Sequence, residues 1–156
     1  MATLFLTCGL PCVGKTTLAT RVATETRALR LTADEWLREL YPQKSEVELD
    51  GLRERVEDLQ WRVAARALEL GCYVVLDWGL WSREERDIYR SRAHALGARA
   101  VLCVLEVPLD ELWERISQRN SELPPGAFRI SRAELDRAAK LFQRPTSEEM
   151  KLFDAA

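Results

Sequence analysis

Histidine is nearly missing: His94 stands alone in 156 residues. It falls among charged residues in a helical stretch, where a surface histidine is expected rather than a catalytic base. Metal-cage spacing is missing too. Cys8 and Cys12 are close neighbours, but no second Cys/His pair accompanies them, which excludes a zinc site of the usual kind. Cys8, Cys72 and Cys103 lie in apolar runs and are expected as small buried core residues. Cys12 stands apart, open to oxidation or alkylation wherever its thiol is exposed. Positive charge is not in excess: 23 Lys and Arg face 25 Asp and Glu, a net charge of -2. No global basic field therefore draws nucleic acid or an anionic membrane. There is no long uncharged apolar run and no signal-peptide pattern, so the chain is expected in the cytoplasm, off the membrane. Repeats, low-complexity tracts and domain breaks are also missing, and the length suits one α/β domain over residues 1–156.

What is present begins at the N-terminus. Residues 3–8 are a short apolar, β-rich run, followed by Gly9-x-x-x-x-Gly14-Lys15-Thr16 and then a helical pattern. Strand, glycine-bounded loop and helix are the context that identifies a phosphate-binding P-loop. Gly9 and Gly14 permit backbone angles and approaches that a Cβ blocks. The amides of the loop, including those of Pro11's neighbours Cys12 and Val13, can then turn inward as an anion nest. The helix from Lys15 aims its unpaired N–H groups, Thr16 and Thr17 among them, at the same anion. Lys15 supplies a charge for the β- and γ-phosphates, and the Thr16 hydroxyl can ligate Mg²⁺. ATP with Mg²⁺ is the expected ligand, with Gly9, Pro11, Cys12, Val13, Gly14, Lys15, Thr16 and Thr17 around it.

The rest alternates strand and helix. Helix is expected over 15–26, with Leu18, Ala19 and Val22 toward the sheet, and strand over 28–31. Thr32 is read as the cap of a helix over 33–40, with Glu35 completing a capping box. One long helix is expected over about 46–70, because Leu52, Val56, Leu59, Val63, Ala67 and Leu70 recur at three- and four-residue steps; Gly71 stops it. A strand over 72–77 ends on Asp77, and residues 78–81 are loop. Ser82 and Glu85 cap a helix to about Leu96. A strand over 99–107, a helix to about Arg119, a polar proline-rich loop over 120–128 and a helix from Ser131 to Phe142 complete the pattern. Such alternation predicts a parallel sheet with helices on both faces, a three-layer α/β/α sandwich. Ligands then bind at the carboxyl ends of the strands.

That edge gathers the candidate chemistry. Asp77 can stand near the Mg²⁺ of the nucleotide, or be a turn aspartate. Asp34 can accept the proton of an attacking hydroxyl, or merely complement the helix dipole; Glu35 is the fallback. Arg115 and Arg119, one turn apart before the loop that precedes Arg129, read as lid arginines for the transferring phosphoryl group, with the lid over about 115–130. Trp36, Trp78 and Trp81 on the substrate-side loops suggest an apolar or ring-containing acceptor pocket.

Gly9 to Thr17, Asp34-Glu35-Trp36-Leu37, Val74 to Asp77 with Trp81 to Asp87, Arg115-x-x-x-Arg119-Asn120 and Phe142-x-x-Pro145-Thr146-x-x-Glu149 together resemble the AAA-33 type of P-loop kinases. That group is similar to polynucleotide kinases, chloramphenicol phosphotransferases and zeta-toxin kinases. The resemblance spans nearly the whole chain. It implies a P-loop NTPase sheet ordered 2-3-1-4-5, an ATP- and Mg²⁺-dependent transfer to a hydroxyl, Asp34 as base, and Arg115 or Arg119 on the lid. The resemblance does not fix the acceptor; a small-molecule hydroxyl is expected, with a polynucleotide 5′-hydroxyl kinase or a nucleotide-binding switch protein with little transfer activity as alternatives, and a monomer or homodimer is expected. Polynucleotide kinases carry an arginine three residues after the base; here Arg38 is four after Asp34, which with the charge balance argues against a nucleic-acid acceptor. The chain ends at Ala156, so a fifth strand must be short or missing, near residues 151–153.

Overall fold

The computed structural model describes residues 1–123 and 129–156. Strand β1 (Thr3–Cys8) leads through the P-loop into helix α1 (Lys15–Thr26). Strand β2 (Leu29–Leu31) and helix α2 (Ala33–Leu40) follow, then α3 (Glu46–Asp50) and α4 (Arg53–Glu69). Next come β3 (Val74–Gly79), α5 (Arg83–Ala95), β4 (Arg99–Val104), α6 (Leu109–Glu122), α7 (Arg132–Leu141) and α8 (Ser147–Met150). The four strands are parallel and ordered β2-β3-β1-β4. This is the α/β arrangement expected for a P-loop fold, with β1 in the interior. Leu4, Leu6, Val74, Leu76, Ala100 and Leu102 are buried, as strands covered on both faces require.

The expected long helix over 46–70 is two helices. Ser45 caps α3 with a complete capping box, and the chain turns at Gly51 before α4 begins. A self-sufficient cap six residues upstream and a glycine, a poor helix former, together favour the break. The apolar face also differs. Val56, Gln60, Ala64 and Leu68, spaced by four, are buried, whereas Leu59, Val63 and Leu70 are exposed. Gln60 disguised the stripe: it is a buried amide that donates to the Thr32 carbonyl (3.0 Å) and accepts from Trp78 Nε1 (2.8 Å).

Four further expectations need correction. Strand β3 continues to Gly79, so Asp77 lies inside it and Trp78 is strand rather than loop. Thr32 occupies the N-cap of α2 without a side-chain cap bond, and Glu35, the other half of the expected box, turns to Arg30 (2.5 Å). Cys72 is exposed and Cys103 half-buried; only Cys8 of the three is in the core. Helix α6 runs on to Glu122, so part of the expected loop is helical. The remainder of that loop, residues 124–128, lies outside the described residues.

Among the described residues there is no fifth strand. Helix α8 and the tail stand at the β4 edge, where Asp154 N–H donates to the Ala100 carbonyl and the Asp154 carboxylate accepts from Ala100 N–H, both at 2.8 Å. One residue thus caps an edge that a further strand would otherwise cover. Among the described residues no helix is long and apolar enough to cross a membrane.

Candidate functional site

The P-loop is built by close approach. A Cβ on Gly9 would lie 2.7 Å from the Leu105 carbonyl oxygen and 2.8 Å from Val13 Cγ1, so no larger residue fits there. The Gly9 N–H donates to the Gly79 carbonyl (3.1 Å), which ties the loop to the end of β3. Gly14 caps α1 at φ 106°, and Cys12 is also left-handed at φ 62°. Left-handed residues inside a turn alternate the amide directions, which is how a nest is formed. The cradle left by Gly9 and the bare N-terminus of α1, with no side-chain cap on Gly14, fit a polyphosphate.

Lys15 folds back across this loop. Its ammonium donates to the Gly9 and Leu10 carbonyls at 2.8 and 2.6 Å, leaving one of three protons for a phosphate. Burial pushes its titration below the usual lysine value, while the charges of Asp77 and Asp34 act in the opposite direction. Both carboxylates thus act on the lysine charge, Asp77 from within β3 and Asp34 from the first turn of α2.

Asp77 is buried in β3. Arg30 Nη1 approaches one of its oxygens at 3.3 Å and the Thr7 hydroxyl approaches the other at 3.5 Å. The Asp77 carboxylate and the Thr16 hydroxyl are oxygen donors of the kind Mg²⁺ takes, and Mg²⁺ needs few protein ligands when phosphates supply the rest. Asp34 projects from the first turn of α2 with its side chain 62% exposed, and Arg53 Nη2 donates to it at 2.7 Å. Arg53 is reached from 19 residues along the chain, a distance at which spacing gives no signal.

The tryptophans make different contacts. Trp36 and Trp78 are half-buried against the core between α2 and α4, Trp78 edge-on to Tyr89 at 5.1 Å between centroids. Trp81 lies under the P-loop, its indole donating to the Gly9 carbonyl at 3.2 Å. Arg38 is exposed and meets Glu46 at 3.7 Å. Arg115 is exposed and bound by Glu111 at 2.7 Å. Arg119 is half-buried, and its Nη1 has no hydrogen-bond partner among the described residues. The Asn120 amide closes the base of the loop beyond α6: it donates to the Ile130 carbonyl (2.8 Å) and accepts from Ile130 N–H (3.2 Å).

Beneath the site lies a buried ion pair. Arg86 of α5 is fully buried; its Nε and Nη2 donate to the two oxygens of Glu149 at 2.5 and 3.0 Å. Its Nη1 donates to the carbonyls of Leu80 (3.0 Å) and Trp81 (3.2 Å). Burial opposes the guanidinium charge, but the Glu149 hydrogen bonds prevail and hold Arg86 above its usual range. The same environment, mainly through burial, pushes the Cys8 thiol up to about 11.

The AAA domain family AAA_33 matches residues 4–145. The chain belongs to that family. A candidate kinase from Chloroflexus aurantiacus J-10-fl superposes with a TM-score of 0.71 at 20% identity, over 88% of this chain and 77% of the other. A chain of the Pnkp1/Rnl/Hen1 RNA repair complex gives 0.71 at 18%; 98% of this chain covers 46% of that one, so it spans about half its length. A gluconokinase from Sinorhizobium meliloti 1021 gives 0.62 at 16%, over 94% and 78%. Likeness at these identities establishes the fold. No curated protein matches the chain significantly.

Proposed function

We propose that this AAA_33 protein is an ATP-dependent kinase that transfers the γ-phosphoryl group to a hydroxyl of a small molecule. The observation that carries the proposal is the placement of Lys15. It is fixed by two P-loop carbonyls and lies within the electrostatic reach of both Asp77 and Asp34. Polyphosphate would rest on residues 9–17, with Arg115 or Arg119 closing from the lid side. Mg²⁺, held by Thr16 and directly or through water by Asp77, would neutralise charge between the phosphates. Asp34, exposed at the mouth, would orient the acceptor hydroxyl and take its proton as the oxygen attacks phosphorus. Catalysis is then mostly positioning and charge stabilisation, with little covalent chemistry asked of the protein. The kinase among the similar structures and the gluconokinase support this reading as analogies of fold.

Two variants test it. Asp34→Asn should bind ATP as the wild type does in calorimetry and lose transfer of labelled phosphate by about 10²-fold or more. Lys15→Ala should weaken nucleotide binding or abolish transfer. Normal turnover in Asp34→Asn would remove the base assignment, and ATP binding and transfer both unaffected by Lys15→Ala would remove the role given to Lys15.

A further inference from the structure

Arg53 opens α4 and forks between two carboxylates. Its Nη2 donates to Asp34 at 2.7 Å and its Nε to Asp50 at 3.2 Å. Asp50 ends α3, so the guanidinium is braced from one helix while it reaches the first turn of another. Its own side chain is 36% exposed, which leaves the contact outside the hydrophobic core. A carboxylate on an exposed helical turn samples several rotamers; a charge-assisted bond to a braced arginine selects among them.

We infer that Arg53 is a positioning residue for the transfer step, fixing the Asp34 rotamer that meets the acceptor hydroxyl. The inference rests on the kinase reading above and deepens it.

Steady-state kinetics with Arg53→Gln, Arg53→Lys and Asp50→Asn tests the positioning role, alongside calorimetry with a non-hydrolysable ATP analogue. Arg53→Gln should lower kcat by about 10- to 100-fold with the KM for ATP unchanged. Arg53→Lys should recover part of the loss, and Asp50→Asn, which frees the brace alone, should lose less than Arg53→Gln. Full activity in Arg53→Gln, or an equal fall in analogue binding and kcat, overturns the positioning role and leaves the kinase reading standing. A wild-type protein that binds the analogue yet transfers to no hydroxyl compound defeats the kinase reading, and this inference with it.

Discussion

Glu57 shows how a single residue carries the electrostatics of the acceptor side. Burial pushes its carboxyl up to about 7; Arg53 pulls it back, and Glu85, Asp34 and Asp58 add to the rise. An acid whose folded value exceeds its ordinary value of 4.5 holds its proton in the native state and gives it up on unfolding. Its contribution to stability is therefore fullest below pH 4.5, declines as pH rises from 4.5 to about 7, and stays low above that. Glu57→Gln keeps the neutral form. It should flatten that slope and stabilise the protein by about 1–2 kcal/mol at pH 8, after allowance for solvent screening. Denaturant unfolding at pH 5 and pH 8 measures it; a variant no more stable than wild type at pH 8 would show that the carboxylate is well solvated. Asp34 was readable from its place after β2, whereas Arg53 and Glu57 were not, because they approach it from another helix.

At the scale of elements, the capping signals divide into two kinds. Ser45, Ser82 and Ser131 each complete a reciprocal box with the glutamate three residues on. Thr32 and Glu35 have the same pattern and form none. The reason is competition: Arg30, on the strand before, offers Glu35 a charged partner that a backbone amide does not match. Ser82→Ala should therefore cost about 1 kcal/mol, while Thr32→Val, which keeps the shape and removes an unused hydroxyl, should change stability by less than about 0.5 kcal/mol. Equal losses in chemical denaturation would mean that Thr32 caps in solution. The helix break at Gly51 follows a similar logic. Hydrophobic spacing suggested one continuous face, but the face actually buried runs through Gln60, whose amide is satisfied only by groups from α2's cap and β3.

Across the whole molecule, the Arg86–Glu149 pair joins three distant stretches. It links α8 near the C-terminus to α5, and through the Leu80 and Trp81 carbonyls to the segment whose indole supports Gly9. Removing one partner strands the other charge in the core. Glu149→Ala or Arg86→Ala should cost about 3–5 kcal/mol, while replacing both with apolar residues of similar volume should recover much of it. A loss below about 1 kcal/mol in either single variant, measured by denaturant titration, would show that the pair is solvated. Both residues stand in stretches that carried the family resemblance, yet neither showed its role, since a buried ion pair looks in sequence like two surface charges.

The sequence by itself determined the P-loop, the alternation of strand and helix and the parallel α/β class. These are encoded locally, by glycine spacing, caps and the period of apolar residues. Tertiary structure alone decided which charges meet: Arg53 with Asp34, Arg30 with Asp77, Arg86 with Glu149, and Trp81 with the Gly9 carbonyl. Those partners lie 19 to 72 residues apart, and their pairing depends on strand order and register, which no local pattern records.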